Sequence, residues 1–176
     1  SMAQRLSVGV VALTEVPKLG LVTVLQCRGE WNTEKMAPES YSGACQVPVH
    51  GKVEGGESLE GARNRETAEE VGAPARNYIL DLAWGTPPRA EFKELERLDT
   101  PEKLVVTWGI KLPCDFLKLI RLGPDSGGIR LLRREEVASI VDLRTFDKVV
   151  GVTDRKIIAM FPDEKAAIEK AFAMFT

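Results

Sequence analysis

The chain has 176 residues, a typical size for one domain, and its 24 basic and 26 acidic residues give a net charge of −2. Hydrophobic residues make up 44% and charged residues 28%, which excludes wholesale disorder, collagen and a coiled coil. The sequence has no apolar run of the roughly 18 to 20 residues that a membrane helix needs. It also lacks the basic excess of a general nucleic-acid binder. We therefore expect a single domain over residues 1–176, without a membrane or nucleic-acid partner.

The three cysteines, Cys27, Cys45 and Cys114, form no C-x-x-C pair, so a disulfide framework or a cysteine-based zinc site is not expected. Free thiols indicate a reducing compartment, and we expect a cytoplasmic protein in which all three are small core residues. Ser1, which precedes Met2, is interpreted as a tag remnant.

The first half of the chain reads mostly as strands and loops. Runs of Val and Leu predict a β-hairpin from Ser7–Thr14 and Leu21–Arg28. A polar loop over Gly29–Gly43 leads to a short strand over Ala44–His50. The next segment, Gly51–Glu57, is rich in glycine and is expected to be a loop.

A helix is predicted over Leu59–Val71, because Ser58 is a plausible N-cap and Gly72 a plausible stop, with Pro74 just beyond. Tyr78–Trp84 reads as a strand. Two tryptophans in predicted strands are assigned to the core: Trp84 and Trp108.

The second half adds a loop over Gly85–Pro101 and strands over Lys103–Leu112 and Ile129–Leu132. Arg133–Ile140 is expected to be a short helix. Apolar residues at three- and four-residue steps predict an amphipathic helix over Asp163–Phe175. This order of elements favours an α+β domain with a mixed sheet and helices on both sides.

Three carboxylates share one face of the predicted helix, since Glu66, Glu69 and Glu70 stand at i, i+3 and i+4. Like charges at this spacing destabilise a helix, and a bound cation removes that cost. Carboxylate oxygens suit Mg²⁺ or Mn²⁺ better than zinc. The alternative is a solvated helix face on which Arg63 and Arg65 pair with neighbouring acids.

The segment Gly51–Ala73, GKVEGGESLEGARNRETAEEVGA, resembles the Nudix box, G-x5-E-x7-R-E-U-x-E-E-x-G-U, where U is aliphatic. The seven fixed positions are all present: Gly51, Glu57, Arg65, Glu66, Glu69, Glu70 and Gly72. If each residue type occurs at about 7%, the chance of this match anywhere in the chain is roughly 10⁻⁶. Thr67 and Ala73 are smaller than the aliphatic residues preferred there, and Arg63 replaces a common small residue.

The resemblance implies a Nudix-like α/β/α sandwich with a mixed β-sheet. It implies a Mg²⁺- or Mn²⁺-dependent hydrolase that cleaves a pyrophosphate bond in a nucleoside diphosphate linked to another moiety. Three residues match the metal-binding carboxylates of the family: Glu66, Glu69 and Glu70. In the same way, His50 offers its backbone carbonyl to the metal, and Glu57 and Arg65 match the pair that braces the loop against the helix. The general base remains open among the three helix glutamates and a Glu elsewhere.

Further candidates lie outside the box. Many relatives add an acidic ligand from a later loop, and the candidates here are Asp125, Glu91 and Glu94. Trp31 and Tyr41 are candidates for stacking on a nucleobase, with packing onto their own domain as the alternative. The His50 side chain is either a phosphate or base contact or a strand-end residue satisfied by the backbone.

The expected partner is a small nucleotide-type diphosphate. Pro87 and Pro88, shortly after the box, resemble the ADP-ribose branch of the family. The alternative function is a Nudix-fold nucleotide-binding or sensor module without turnover. An isoprenyl-diphosphate isomerase shares the fold but needs a Cys and a Glu in other sequence surroundings. A homodimer formed through a sheet edge is compatible with such folds.

Overall fold

The computed structural model describes residues 3–176, so Ser1, interpreted as a tag remnant, lies outside the described residues. The strands are β1 (Arg5–Val16), β2 (Gly20–Arg28), β3 (Trp31–Asn32), β4 (Ala37–Pro38), β5 (Cys45–Gln46), β6 (Val49–Lys52), β7 (Lys93–Asp99), β8 (Lys103–Leu112), β9 (Ser126–Arg133), β10 (Val141–Asp142) and β11 (Ala159–Met160). The α-helices are α1 (Leu59–Val71), α2 (Ala73–Ala83) and α3 (Pro162–Phe175), and short 3₁₀ helices cover Cys114–Leu119, Arg134–Ser139 and Leu143–Thr145. Within residues 3–176, no helix has the length and apolar character needed to cross a bilayer.

The main sheet is mixed and has β1 at its centre. One edge of β1 pairs in parallel with β8, which pairs antiparallel with β7. The other edge pairs antiparallel with β6 along its first half and with β2 along its second half. The strands β5 and β9 also pair with β2. The glycine-rich segment after β6 therefore begins beside the central strand.

Helices cover both faces of this sheet, as the alternation along β1 requires. Val8 and Val10 face the layer that contains α1 and α2. Val11 and Leu13 face the opposite layer, where they pack in one cluster with α3 residues such as Phe172. The predicted α/β/α arrangement with a mixed sheet is confirmed.

Several elements follow the sequence prediction closely. The β1–β2 hairpin forms, with Val16 opposite Gly20 at the turn. The helix α1 and the strand β8 have the predicted bounds, and α3 begins one residue early at Pro162. Pro48 splits the predicted strand Ala44–His50 into β5 and β6, since a proline cannot donate a ladder hydrogen bond.

The strand predicted over Tyr78–Trp84 is wrong, because this segment belongs to α2. Ala75, Ile79 and Leu82 are buried at helical spacing, and Pro74 lies in the first turn of α2, where a proline is tolerated. Trp84 lies just past the end of α2 with 68% of its surface exposed, so its assignment to the core is also wrong. Trp108 is buried as expected.

The loop predicted over Gly85–Pro101 contains the edge strand β7. Its sequence, KELERLD, is mostly charged and has little buried surface, so the hydrophobic alternation of a strand is absent. Backbone pairing with β8 holds it in place. The segment Arg133–Ile140 is helical but forms a 3₁₀ helix over Arg134–Ser139. Cys27 and Cys45 are buried as expected, whereas Cys114 is only half-buried.

Two buried threonines near the centre of the sheet provide a stability test. The Thr14 hydroxyl is buried and has no hydrogen-bond partner within residues 3–176, whereas the Thr23 hydroxyl donates to the carbonyl oxygen of Ala12 at 3.1 Å. An unpaired buried hydroxyl is costly, so Thr14→Val should raise the free energy of unfolding by about 1 kcal/mol. The matched change Thr23→Val should lower it by about 1 kcal/mol. Urea denaturation of both variants checks this, and a loss of stability in Thr14→Val would contradict it.

Candidate active site

The acidic helix α1 is fixed at both ends. The Ser58 side chain accepts a hydrogen bond from the Gly61 N–H at 2.9 Å, which caps the first turn. Gly72 ends the helix with a φ of 94°, and a Cβ at this position would collide with Arg121. The Arg121 N–H donates to the Val71 carbonyl at 2.7 Å. Gly72 is therefore needed both for its positive φ and for the close approach of the chain around Arg121.

Arg63 anchors the opposite side of α1 to the sheet. Its guanidinium lies 3.8 Å from the centre of the Phe92 ring and 5.0 Å from that of Trp108. The residue is buried, and burial lowers its pKa from the ordinary value. A buried cation between two aromatic rings explains how an arginine is accommodated where a small residue is common in the resembled motif.

The three helix carboxylates have different environments. Glu66 is buried and Glu69 is exposed, whereas Glu70 is half-buried and accepts a hydrogen bond from the Gln26 side chain at 3.5 Å. Burial, followed by the nearby charges of Glu66 and Glu69, raises the pKa of Glu70 to about 7. Burial also raises the pKa of Glu66. The spacing thus places all three on one face, where each carboxylate disfavours the charge of the next.

The buried Glu66 carboxylate occupies the space next to Gly51. A Cβ at Gly51 would overlap the carboxylate carbon and both oxygens of Glu66. The first glycine of the motif is therefore required because the helix carboxylate packs directly on the strand backbone, and its φ is not positive.

Arg65 connects the loop to the helix. Its guanidinium donates to both carboxylate oxygens of Glu57 at 2.8 and 3.0 Å, and to the Lys52 carbonyl at 2.8 Å. Nη1 of the same guanidinium donates to Glu66 at 3.0 Å and to Glu69 at 3.1 Å. The hydrogen bonds between Arg65 and Glu57 lower the pKa of Glu57 and raise the pKa of Arg65. The two residues predicted to brace the loop are thus in direct, bidentate contact.

A preassembled metal cluster is not formed, since no three acidic, histidine or cysteine side chains within residues 3–176 gather around one point. Nη1 of Arg65 lies between Glu66 and Glu69 and partly neutralises them, while Glu70 contacts Gln26. The donor set itself fits a hard divalent cation, because it offers several carboxylate oxygens on one helix face. The Arg65 contact leaves acceptor positions on Glu66 and Glu69 that are available to a cation, since a carboxylate has about four lone-pair sites.

The backbone carbonyl of His50 is also placed for such a role. The Val53 N–H donates to the Leu6 carbonyl at 2.9 Å. This bond shows which opposite residues of β1 and β6 are hydrogen-bonded pairs, because such pairs alternate along an antiparallel ladder. In this register His50 and Gly9 are a non-hydrogen-bonded pair, so the His50 carbonyl points away from β1. The His50 side chain is exposed and lines a large cleft.

The cleft has a volume of about 1090 Å³. Its walls come from the start of β1, the loop 52–57, the edges of β7 and β8, and the N-terminal turn of α3. Aliphatic side chains such as Leu6 and Val105 form part of its surface, and Arg28 and Gln46 supply polar groups. Glu57 lines this cleft, so Arg65 connects the cleft wall directly to the acidic face of α1.

Glu164, in the first turn of α3, is a further candidate that the sequence pattern does not predict. It lines the cleft, and its carboxylate accepts a hydrogen bond from the Val47 N–H at 2.9 Å. Enclosure by the protein raises its pKa to about 7, although the Val47 N–H and Arg28 act in the opposite direction. In the sequence, an acid in the first turn of a helix is also the ordinary complement of the helix dipole, so no signal distinguished this residue.

The described lining of this cleft includes neither Trp31 nor Tyr41. Trp31 is 46% exposed on the short strand β3. Tyr41 packs against a small cluster that includes Leu143 and Val152. The structure therefore favours the alternative in which Tyr41 packs onto its own domain, and it does not place either ring opposite the cleft.

The later-loop acids are also engaged elsewhere. Both carboxylate oxygens of Asp125 accept hydrogen bonds from the Thr33 N–H at 3.1 Å, which fixes the loop around β3. Glu94 accepts a hydrogen bond from Arg97 at 2.6 Å, and Glu91 lines a separate open cavity of about 560 Å³. Within residues 3–176, none of these three joins the α1 carboxylates in a group of three side chains that could hold a metal ion.

No family profile matches the sequence, and no curated protein does. The folded chain, in contrast, superimposes on many solved structures. A mutT/nudix family protein from Listeria innocua has a TM-score of 0.60 at 18% identity, with 99% of this chain and 95% of that chain covered. The chain has the Nudix fold.

Two further structures with the Nudix fold show the range of proteins that share this architecture. An Ap4A hydrolase from C. elegans matches with a TM-score of 0.56 at 16% identity, and 99% of this chain and 100% of that chain are covered. The NUDIX domain of Shewanella oneidensis NrtR, solved in complex with ADP ribose, matches with a TM-score of 0.54 at 17% identity over 100% of this chain and 91% of that chain. At these identities the comparison establishes the fold.

The contact between Gly51 and Glu66 can be tested by Gly51→Ala. The added methyl group must displace the buried carboxylate, so the free energy of unfolding should fall by about 2 kcal/mol. Gly55→Ala is the matched control, because a Cβ at Gly55 meets open space. Chemical denaturation compares the two, and equal stabilities would show that Glu66 does not rest on this glycine.

The raised pKa of Glu164 predicts a pH dependence of stability. Its folded pKa of about 7 lies above the ordinary value of 4.5, so protonation favours the folded state. This contribution is fully present below pH 4.5 and is lost as the pH rises through about 7.

Glu164→Gln removes this titration and keeps an oxygen that accepts from the Val47 N–H. We expect the wild-type free energy of unfolding to fall relative to that of the variant between pH 4.5 and pH 7. Urea melts across this range provide the measurement, with the exposed change Glu169→Gln on the same helix as the control. Parallel pH profiles of the wild type and Glu164→Gln would rule out the shifted pKa.

Proposed function

We propose that this protein is a Mg²⁺- or Mn²⁺-dependent hydrolase that cleaves a pyrophosphate bond in a nucleoside diphosphate linked to another moiety. The single observation that carries this proposal is the arrangement of Glu66, Glu69 and Glu70 on one helix face. Arg65 and Glu57 connect this face to a cleft large enough for a nucleotide. The Nudix fold supports it, since an Ap4A hydrolase shares the architecture.

In this proposal the carboxylates of Glu66, Glu69 and Glu70 and the carbonyl of His50 hold the cation. A divalent cation supplies charge neutralisation on the phosphate oxygens and lowers the pKa of a bound water. The neighbouring cleft binds the nucleoside part, with its aliphatic wall against the base and Arg28 near the phosphates. Arg65 keeps Glu57 and the loop in position throughout, because two of its three nitrogens do not contact the helix carboxylates.

The proton of the attacking water needs an acceptor with a pKa near neutrality. Glu70 on the acidic face and Glu164 in the cleft each have a pKa raised to about 7. Glu164 is not among the proposed cation ligands and is therefore the stronger candidate for the general base, whereas a cation bound to Glu70 would lower the pKa of that carboxyl. A loss of the acid limb in the pH–rate profile of Glu70→Gln or Glu164→Gln would identify which one acts.

The test of function is a metal-dependent hydrolysis screen over nucleoside triphosphates, dinucleoside polyphosphates, ADP-ribose and nucleotide sugars. With the best substrate, Glu69→Gln and Glu70→Gln should each lower kcat about a hundredfold or more, because each removes a ligand of the cation. Glu60→Gln, an exposed change in the first turn of the same helix, is the matched control and should leave kcat unchanged. Full activity in both ligand variants would contradict the metal assignment.

A nucleotide-binding or sensor module without turnover is the second candidate. It is favoured by the similarity to the NrtR domain complexed with ADP ribose. Calorimetric titration with the same compounds separates the two functions. Tight binding without product release in Mg²⁺ or Mn²⁺ supports the sensor, whereas metal-dependent turnover supports the hydrolase.

A further inference from the structure

Two buried cysteines face each other across a short strand pair. Cys27 on β2 is directly opposite Cys45 on β5 in an antiparallel register. The Arg28 N–H donates to the Ala44 carbonyl at 2.8 Å, and this bond flanks the cysteine pair. The cysteines therefore form a non-hydrogen-bonded pair, in which Cα atoms lie about 4.5 Å apart. A disulfide needs a Cα separation of about 4.4 to 6.8 Å, and the spacing typical of a non-hydrogen-bonded pair lies within this range.

The surroundings make the two thiols chemically unequal. The neighbouring Cys45 thiol, with Arg130 and Arg155, lowers the pKa of Cys27 from 9.0 to about 7. The Cys27 thiol, together with burial, raises the pKa of Cys45. Cys27 retains 8% of its surface, whereas Cys45 has none exposed. Cys27 is thus the thiol that a small oxidant reaches as a thiolate. Cys45 supplies the second sulfur of the disulfide.

We propose that Cys27 and Cys45 are a reversible redox pair that forms a disulfide when the protein meets a hydroperoxide. The Cys27 thiolate attacks one peroxide oxygen, breaks the O–O bond and becomes a sulfenic acid, and hydroxide leaves. The Cys45 sulfur then attacks the Cys27 sulfur, and the sulfenic oxygen leaves as water with the Cys45 proton. Overall, two thiols are oxidised to one disulfide and hydrogen peroxide is reduced to two waters, while a dithiol reductant reverses the change.

The pair occupies a place where a covalent link has structural consequences. On β2, Cys27 stands between Gln26, which contacts Glu70, and Arg28, which lines the cleft. On β5, Cys45 is followed by Gln46, which also lines the cleft. Since β5 pairs with β2 over only two residues in the described chain, the disulfide closes the segment 28–44 and adds a covalent link to a short backbone contact. This inference does not depend on the proposed hydrolase activity.

The experiment treats the full chain with hydrogen peroxide, alkylates the remaining thiols after denaturation, and maps the peptides by mass spectrometry. The expected product joins the Cys27 and Cys45 peptides with the loss of two hydrogens, leaves Cys114 alkylated, and disappears with dithiothreitol. Three alkylated thiols, a Cys114 disulfide, or a sulfinic acid on Cys27 without the linked peptide would each overturn the proposal.

Two variants assign the roles independently of that map. In Cys45→Ser, peroxide should leave a sulfenic acid on Cys27 that dimedone traps, and Cys114→Ser should form the linked peptide as the wild type does. Closing the loop restricts the unfolded chain, so oxidation should raise the Tm of the wild type and of Cys114→Ser by about 5 °C or more. The Tm of Cys45→Ser should not change on oxidation. An equal Tm rise in Cys45→Ser, or dimedone trapped on Cys114 alone, would refute the pairing.

Discussion

The contacts of one guanidinium organise this site. Arg65 holds Glu57 through two hydrogen bonds, holds the loop backbone at Lys52, and holds Glu66 and Glu69 through its remaining nitrogen. Without the Arg65 guanidinium, the glycine-rich loop and the acidic helix face would share no ion-pair partner. The helix carboxylates would then repel one another. Because the same nitrogen contacts both Glu66 and Glu69, Arg65 neutralises part of their negative charge and also occupies part of the space beside them. In the proposed metal chemistry, Glu66 and Glu69 would share their carboxylate oxygens between Arg65 and the cation, while the Glu57 contact remains.

The sequence predicted the architecture where hydrophobic periodicity and end signals agreed. The β1–β2 hairpin, α1, β8 and α3 have alternating or helical apolar patterns with clear stops, and the structure places each of them close to its predicted bounds. The prediction failed where tertiary context decides. The segment Tyr78–Trp84 is short and apolar, so periodicity did not distinguish a strand from the end of α2. The edge strand β7 has almost no buried side-chain surface, so its sequence lacks the hydrophobic alternation of a strand. Backbone pairing with β8 holds it in the sheet.

The residues of the candidate site likewise divide into those that the sequence predicts and those that it does not. Motif spacing identified the acidic face and the contact between Glu57 and Arg65, because both depend on helix geometry and on a short loop. It also identified Gly51 without explaining it, since the packing of Glu66 on the strand appears only in three dimensions. The cleft could not be predicted, because its walls come from segments far apart in the chain. For this reason no sequence pattern indicates Glu164, and the aromatic loop residues Trp31 and Tyr41 are not among the lining residues of the cleft.

The junction at Gly72 has a mechanical consequence. Only one residue separates α1 from α2, and the backbone around Arg121 fits so closely against it that even a methyl group is excluded. The Arg121 N–H is also bonded to the last carbonyl of α1. A rigid-body movement of the acidic helix would therefore break this hydrogen bond or carry α2 and the segment around Arg121 with it. Rotation about side-chain bonds, in contrast, lets the carboxylates rearrange without disturbing this junction.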